Sequence, residues 1–197
     1  MDDPTRKQTF LDIYDDSMWL INLVENILSI SRIEDGRMNL SISTELVSEV
    51  FEEALRHTNR HSGQHTITVQ MDDDLLLAHM DAKLIVQVLI NLVDNAIKYT
   101  PAGSHIVLSA AAQGERAVIR VSDDSPGIPD EAKEKVRERF STGEKRISDS
   151  RRSLGLGLAL CRTIIAAHGG TITLSDNKPH GCIFTFTLPH GEVSLHE

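Results

Sequence analysis

The 197 residues are 40% hydrophobic, 25% charged and 4% aromatic, which excludes collagen-like, mucin-like and wholly disordered chains and fits one globular domain with an appendage. Lys and Arg number 20 against 29 Asp and Glu, a formal charge of -9, so the basic footprint of a nucleic-acid-binding surface is missing. Cys161 and Cys182 lack metal-ligand spacing and read as reduced core residues, no apolar run reaches the roughly 18 residues of a membrane span, and Met1-Asp2-Asp3-Pro4 does not open a signal peptide. The expectation is a cytoplasmic chain with no membrane contact of its own.

From about Thr9 to Asp35 there is no proline or glycine, and apolar residues recur at Phe10, Ile13, Leu20, Val24 and Ile27, with a second row at Tyr14, Ile21 and Leu28. This predicts a helix of about seven turns, stopped at Gly36. Two adjacent apolar rows are too wide for a lone surface helix and call for a bundle or a dimer, or for docking onto the chain's own domain. The best domain boundary is Gly36, dividing 1–36 from 37–197.

Beyond it, Met38 to Ile42 reads as a strand, Thr44 to about His61 as an amphipathic helix, and His65 to Met71 and Leu75 to His79 as strands. Asp81 N-caps a helix that runs to about Tyr99 and is stopped by Pro101. Ile106 to Ala111 and Ala117 to Ser122 flank Gln113-Gly114 as a hairpin. There follow a loop from Asp123 to Asp130, a short helix to Phe140, a polar stretch to Ser153, a helix from about Gly155 to His168, and strands Thr171 to Ser175 and Cys182 to Leu188. Helices and strands mix without strict βαβ alternation, which favours an α+β two-layer sandwich.

Three stretches carry candidate chemistry. Asn91, Asn95 and Lys98 share one face of a helix otherwise rich in Leu, Ile and Val, and carboxamides with an ammonium suit a hard cation and phosphate oxygens. Asp123-Asp124-Ser125-Pro126-Gly127 follows a strand: a carboxylate at the exit can accept an amino group, and Gly127 lets a flat ligand approach. Leu154-Gly155-Leu156-Gly157-Leu158 opens a helix after Lys145, Arg146, Arg151 and Arg152, a plausible phosphate cradle. Each alone also has a plain explanation, as solvent-facing asparagines, a surface turn or an ordinary helix start.

In this order, with Glu138-Arg139-Phe140 between the second and third, the stretches resemble the N, G1, F and G2 boxes of sensor histidine kinases. The ending His168-Gly169-Gly170-Thr171 through Phe184-Thr185-Phe186-Thr187-Leu188-Pro189 looks the same, and the likeness covers nearly the whole chain. The Cys161-Arg162 helix and the His168 turn resemble the potassium-responsive Kdp-type kinases in particular. The resemblance implies a Bergerat ATP-binding sandwich preceded by the second helix of a dimerisation bundle. It implies that Asn95 binds the Mg²⁺ bridging the ATP phosphates and Asn91 supports it. Lys98 and Tyr99 match the pair at phosphate and nucleoside, Asp123 the receptor of the adenine amino group, and Gly127 the glycine beneath the base. Phe140 matches the F-box aromatic that anchors a lid, here Ser141 to Ser153, and Gly155 and Gly157 match the G2 glycines around the triphosphate. The expected cofactor-binding set is completed by Ile128, Arg151, Arg152, Leu156 and Leu158, with Asn95 the metal ligand.

Ser125 and Ser153 stand where the family has glycine, and Arg137 where the F box begins with an aromatic. A serine forced to positive φ costs about 1 to 2 kcal/mol, which would moderate nucleotide affinity. None of the nine histidines has the acidic, aliphatic and basic context of the family's phosphoacceptor, so the nucleophile is expected upstream of Met1. The implied partners are ATP, that upstream helix, a response regulator and a second copy of the chain, in a full-length protein anchored in a membrane. Two other classes compete. An ATP hydrolase of the gyrase or chaperone type places a glutamate four residues before the Mg²⁺-binding asparagine, where this chain has Asn91. A non-catalytic dimerising scaffold would tolerate the serines in the glycine boxes.

Overall fold

The computed structural model describes residues 40–58, 65–127 and 156–191, with isolated positions from 9 to 28, and divides into two compact units, Met1–Met38 and Asn39–Glu197. In the first, Thr9, Phe10, Ile13, Ser17, Ile21, Val24 and Leu28 are all helical, within the span expected from the apolar rows. Ser17 Oγ donates to the Ile13 carbonyl at 2.7 Å, the one-turn-back bond of a helical serine. Phe10, Ile13, Ile21, Val24 and Leu28 are exposed.

The second unit is an α+β sandwich. Strand β1, Ser43–Leu46, leads into helix α1, Val47–Thr58; strands β2, Thr66–Met71, and β3, Leu77–Met80, precede helix α2, Ala82–Tyr99. Strands β4, His105–Gln113, and β5, Arg116–Asp123, form the hairpin; helix α3, Leu156–Ala167, is followed by strands β6, Ile172–Asp176, and β7, Cys182–Pro189. The main sheet has the order β2-β4-β5-β7-β6, with β2 and β4 parallel and the other pairs antiparallel. Helices α2 and α3 pack on it, and α1 packs on α2.

The period-two alternation places Ile106, Leu108 and Ala110 of β4 and Phe184, Phe186 and Leu188 of β7 in the core. They face Leu84, Ile85, Val88, Leu89, Leu92, Val93 and Ala96 of α2 and Leu160, Cys161, Ile164 and Ile165 of α3, all buried. Both cysteines are free and buried, as read from the sequence. Burial pushes the Cys161 thiol up to about 12, so it behaves as a core hydrophobe.

Two local expectations are corrected. Leu40, Ser41 and Ile42 are not in a strand, and Thr44 does not open a helix; Ser43–Leu46 is the strand and α1 begins at Val47. The cause is non-local: Thr44 pairs with His79 and Leu46 with Leu77, and the Val47 amide donates to the Leu76 carbonyl at 3.0 Å, so the chain stays extended until that ladder ends. Helix α1 is described as far as Thr58, and its expected end near His61 lies outside the described residues. The short helix ending at Phe140 falls outside the described residues.

Helix α2 is bounded as its sequence announces. Asp81 is the N-cap, its Oδ1 accepting from the Leu84 amide at 3.4 Å and its Oδ2 from the Ser41 amide at 3.1 Å. At the other end Thr100 bonds back to the Ala96 carbonyl through its amide and its hydroxyl. Buried His168 ties α3 to this N-terminus: its Nδ1 donates to the Ile164 carbonyl at 2.7 Å and its Nε2 accepts from the Asp81 amide at 3.0 Å.

Helix α3 closes in a Schellman motif, the Gly169 amide bonding to the Ala166 carbonyl and the Gly170 amide to the Ile165 carbonyl, both at 2.9 Å. Gly169 takes φ +67° in open space, whereas a Cβ on Gly170 would overlap the Thr187 carbonyl oxygen. The adjacent glycines are therefore required for different reasons, conformation at one and space at the other. Gly169→Ala should cost about 1 kcal/mol from the positive φ, and Gly170→Ala about 1 to 3 kcal/mol or more, because a backbone carbonyl must move. Urea denaturation of the two variants checks the order; equal costs would contradict it.

Candidate functional site

The α2 face carries the first group of candidates. Asn91 and Asn95 lie one turn apart, both half-buried, and Lys98 and Tyr99 are exposed at the end of the helix. The Asn91 side chain is held along its own helix, Nδ2 donating to the Gln87 carbonyl at 2.9 Å. Its Oδ1 meets the first turn of α3: a Cβ on Gly157 would lie 2.9 Å from it. A side chain at position 157 would press on the Asn91 carboxamide, which the glycine leaves undisturbed. The Asn95 carboxamide makes no hydrogen bond with another described residue. Lys98 Nζ stands 5.6 Å from the centroid of the Tyr99 ring, within cation-π range.

Asp123 is the last residue of β5 and is buried. Its Oδ1 accepts from two backbone amides, Ser125 at 3.0 Å and Cys182 at 3.1 Å. That fixes the carboxylate plane and commits one oxygen; Oδ2 makes no hydrogen bond with a described residue and remains an acceptor. Ser125, buried, accepts the Gly127 amide on its Oγ at 3.1 Å, while Gly127 adopts φ +83°. The serine that replaces glycine in this loop thus supplies a local tether. Gly127 exposes backbone where a side chain would otherwise stand.

Neighbouring Asp124 faces the other way. Its Oδ1 accepts from the His105 amide at 3.0 Å, and its Oδ2 lies 3.4 Å from His105 Nδ1. Desolvation by burial opposes ionisation, but the bonds from the His105 amide, the Ser104 side chain and the His105 ring together outweigh it and hold the carboxyl below its ordinary value.

Helix α3 starts at Leu156, with Gly157 and Leu158 half-buried in its first turn. Ile128, Phe140, Arg151, Arg152, Gly155 and the Ser141–Ser153 segment lie outside the described residues. Among the described residues no cluster of His, Cys, Asp and Glu could hold a metal ion. The Asn95 carboxamide oxygen is one donor that a hard cation could use.

The sequence reading missed the β6–β7 turn. Asn177 Nδ2 donates to the Asp123 carbonyl at 2.8 Å, and His180 Nδ1 lies 2.9 Å from the Asp124 carbonyl oxygen and 3.1 Å from that of Ser125. Pro179 and Gly181 mark a turn in the sequence, but what it touches is decided by the pairing of Ser122 with Ile183, which no local pattern shows.

A sequence model of the histidine kinase-, DNA gyrase B- and HSP90-like ATPases matches residues 80–192. The chain is 39% identical over 188 residues to sensor protein KdpD of Clostridium acetobutylicum, a match covering 95% of this chain and 21% of that protein. The chain therefore spans about a fifth of that relative's length. Among solved structures it resembles the Acinetobacter baumannii histidine kinase AdeS, with a TM-score of 0.73 and 26% identity over 93% of this chain and 84% of that one. It also resembles histidine kinase ThkA, solved in complex with response regulator protein TrrA, with a TM-score of 0.70 and 26% identity over 97% of this chain and 53% of that one. No described helix is long and apolar enough to cross a membrane. With the capped α2 helix, strands β4 to β7 and the carboxylate at the end of β5 inside the matched span, the chain belongs to the histidine kinase-, DNA gyrase B- and HSP90-like ATPase family, as an ATP-binding domain of the sensor histidine kinase kind.

Proposed function

We propose that this chain binds Mg·ATP and presents the γ-phosphoryl group to a histidine outside residues 1–197, within a two-component signalling protein that hands the phosphoryl group to a response regulator. The observation that carries the reading is the Asp123 carboxylate: one oxygen is locked by two amides, and the other keeps its acceptor capacity beside a glycine that exposes backbone. A planar base with an exocyclic amino group fits that arrangement. Asn95 is the assigned cation ligand, and the cation neutralises phosphate charge when bound. Lys98, Tyr99, Leu156, Gly157 and Leu158, with Ile128, Phe140, Arg151, Arg152 and Gly155 outside the described residues, complete the proposed nucleotide contacts.

In phosphoryl transfer of this kind the protein mainly positions the donor and stabilises charge, so the absence of a general-base carboxylate at position 91 is no obstacle. The same absence argues against hydrolysis. Asn91 stands where a gyrase-type enzyme has its glutamate, and its carboxamide is bonded to its own helix. The Thr9 to Asp35 segment is proposed to supply one helix of a dimerisation bundle, since its exposed Ile21, Val24 and Leu28 would be worth about 1.5 to 3 kcal/mol each on full burial. The nucleotide site is further proposed to lie in the cytoplasm, the compartment that supplies ATP.

Calorimetry tests the site. Asn95→Ala should lower ATP affinity about tenfold in Mg²⁺ and leave it unchanged in chelator, and Asp123→Asn should weaken ATP about tenfold or more with either. Parent-like binding by both variants would overturn the assignment. Incubated alone with γ-labelled ATP, the chain should incorporate no acid-labile phosphate, and stable labelling on a histidine would show that one of the nine is the acceptor after all. In sedimentation equilibrium at tens of micromolar the chain should be a dimer or larger, and charged replacements of Ile21, Val24 and Leu28 should dissociate it; a monomeric parent would refute the bundle.

A further inference from the structure

The loop that carries Asp123 leaves the sheet with three successive carbonyl groups, those of Asp123, Asp124 and Ser125. Two side chains of the β6–β7 turn reach all three: Asn177 Nδ2 takes the first at 2.8 Å, and His180 Nδ1 spans the second at 2.9 Å and the third at 3.1 Å. Both partners of His180 Nδ1 are carbonyl oxygens, so this nitrogen carries a hydrogen in either charge state of the ring.

The turn is itself braced. The Asn177 amide donates to the Gly181 carbonyl and the Lys178 amide to Asn177 Oδ1, both at 2.9 Å. Gly181 adopts φ +119°, and a Cβ there would overlap the Asp123 carbonyl oxygen, so the two backbones lie in direct contact. The next amide, that of Cys182, orients Asp123 Oδ1 at 3.1 Å. Gly127 also belongs to this junction, since a Cβ on it would lie 3.7 Å from the Gly181 carbonyl oxygen.

We propose that the β6–β7 turn is a positioning device for base recognition, in which Asn177 and His180 hold the Asp123–Gly127 loop from behind and so set which base the site prefers. This rests on the assignment of Asp123 to the base amino group made above. The described contacts of Asn177 and His180 go to the loop that carries Asp123 and to the turn itself, not to α2 or α3. Their loss should therefore be felt at the base end of a nucleotide and not at its phosphate end.

Titration with ATP and with ITP, whose base carries a carbonyl in place of the amino group, separates the two ends. His180→Ala should lower ATP affinity about tenfold and ITP affinity less than about twofold, narrowing the preference. His180→Asn, whose Nδ2 branches from the same carbon position as the histidine Nδ1, should restore it to within about threefold. Asn177→Asp, which sets a carboxylate oxygen against the Asp123 carbonyl, should act as His180→Ala does. Without nucleotide, amide exchange at Ser125 and Gly127 should rise about tenfold in His180→Ala while the melting temperature stays within a few degrees of the parent's. Unchanged preference with unchanged exchange overturns the proposal, as does an equal loss of ATP and ITP accompanied by global destabilisation. A parent that binds ATP and ITP alike defeats the base-recognition assignment, and exchange at Ser125 and Gly127 then still decides whether the turn holds the loop.

Discussion

The antiparallel register of β5 with β7 is the constraint from which the rest of the site follows. Pairing Ser122 with Ile183 delivers Asp123 to the end of one strand and Cys182 to the start of the other, so an amide meets a carboxylate at 3.1 Å. A slip of one residue would turn every side chain of β7 to the opposite face, burying Thr185 and Thr187 and exposing Phe184 and Phe186. Hydrophobic burial therefore enforces the register, and the register orients the carboxylate. Core burial and the orientation of Asp123 are coupled through the same hydrogen-bond ladder.

A second set of contacts fixes the helices. The absence of a side chain on Gly157 allows α3 to lie against Asn91, Cys161 Sγ stands 3.8 Å from the Val88 carbonyl oxygen, and His168 clamps the end of α3 to the N-cap of α2. Asn91 and Asn95 thus stand on a helix held at both ends and along its length. Preorganisation of this kind lets a binding site spend its interactions on the ligand instead of on its own ordering.

The legible parts of the sequence were those whose causes are local. Helix α2 was bounded correctly because Asp81, Thr100 and Pro101 act within one turn of its ends, and the β4–β5 hairpin because Gly114 supplies a φ of +59°. The candidate residues on α2 and at the exit of β5 were legible as polar groups in settings that demand a partner. Strand β1 was misplaced because its extended state depends on Leu77 and His79, more than thirty residues away. For the same reason the contacts of Asn177 and His180 could not be read: a turn announces its own geometry, while its neighbour is chosen by the sheet.

His168 shows what such wiring does to chemical reactivity. Imidazole attacks phosphorus through an unshared electron pair on nitrogen, and a neutral ring has one such pair. Here the hydrogen-bearing nitrogen points at the Ile164 carbonyl, and the pair on the other is occupied by the amide proton of Asp81. To act as a nucleophile the ring would have to leave the N-cap of α2 and abandon both bonds in the interior. A domain proposed to phosphorylate histidine thus keeps its own buried histidine chemically silent by using both nitrogens as structural ties.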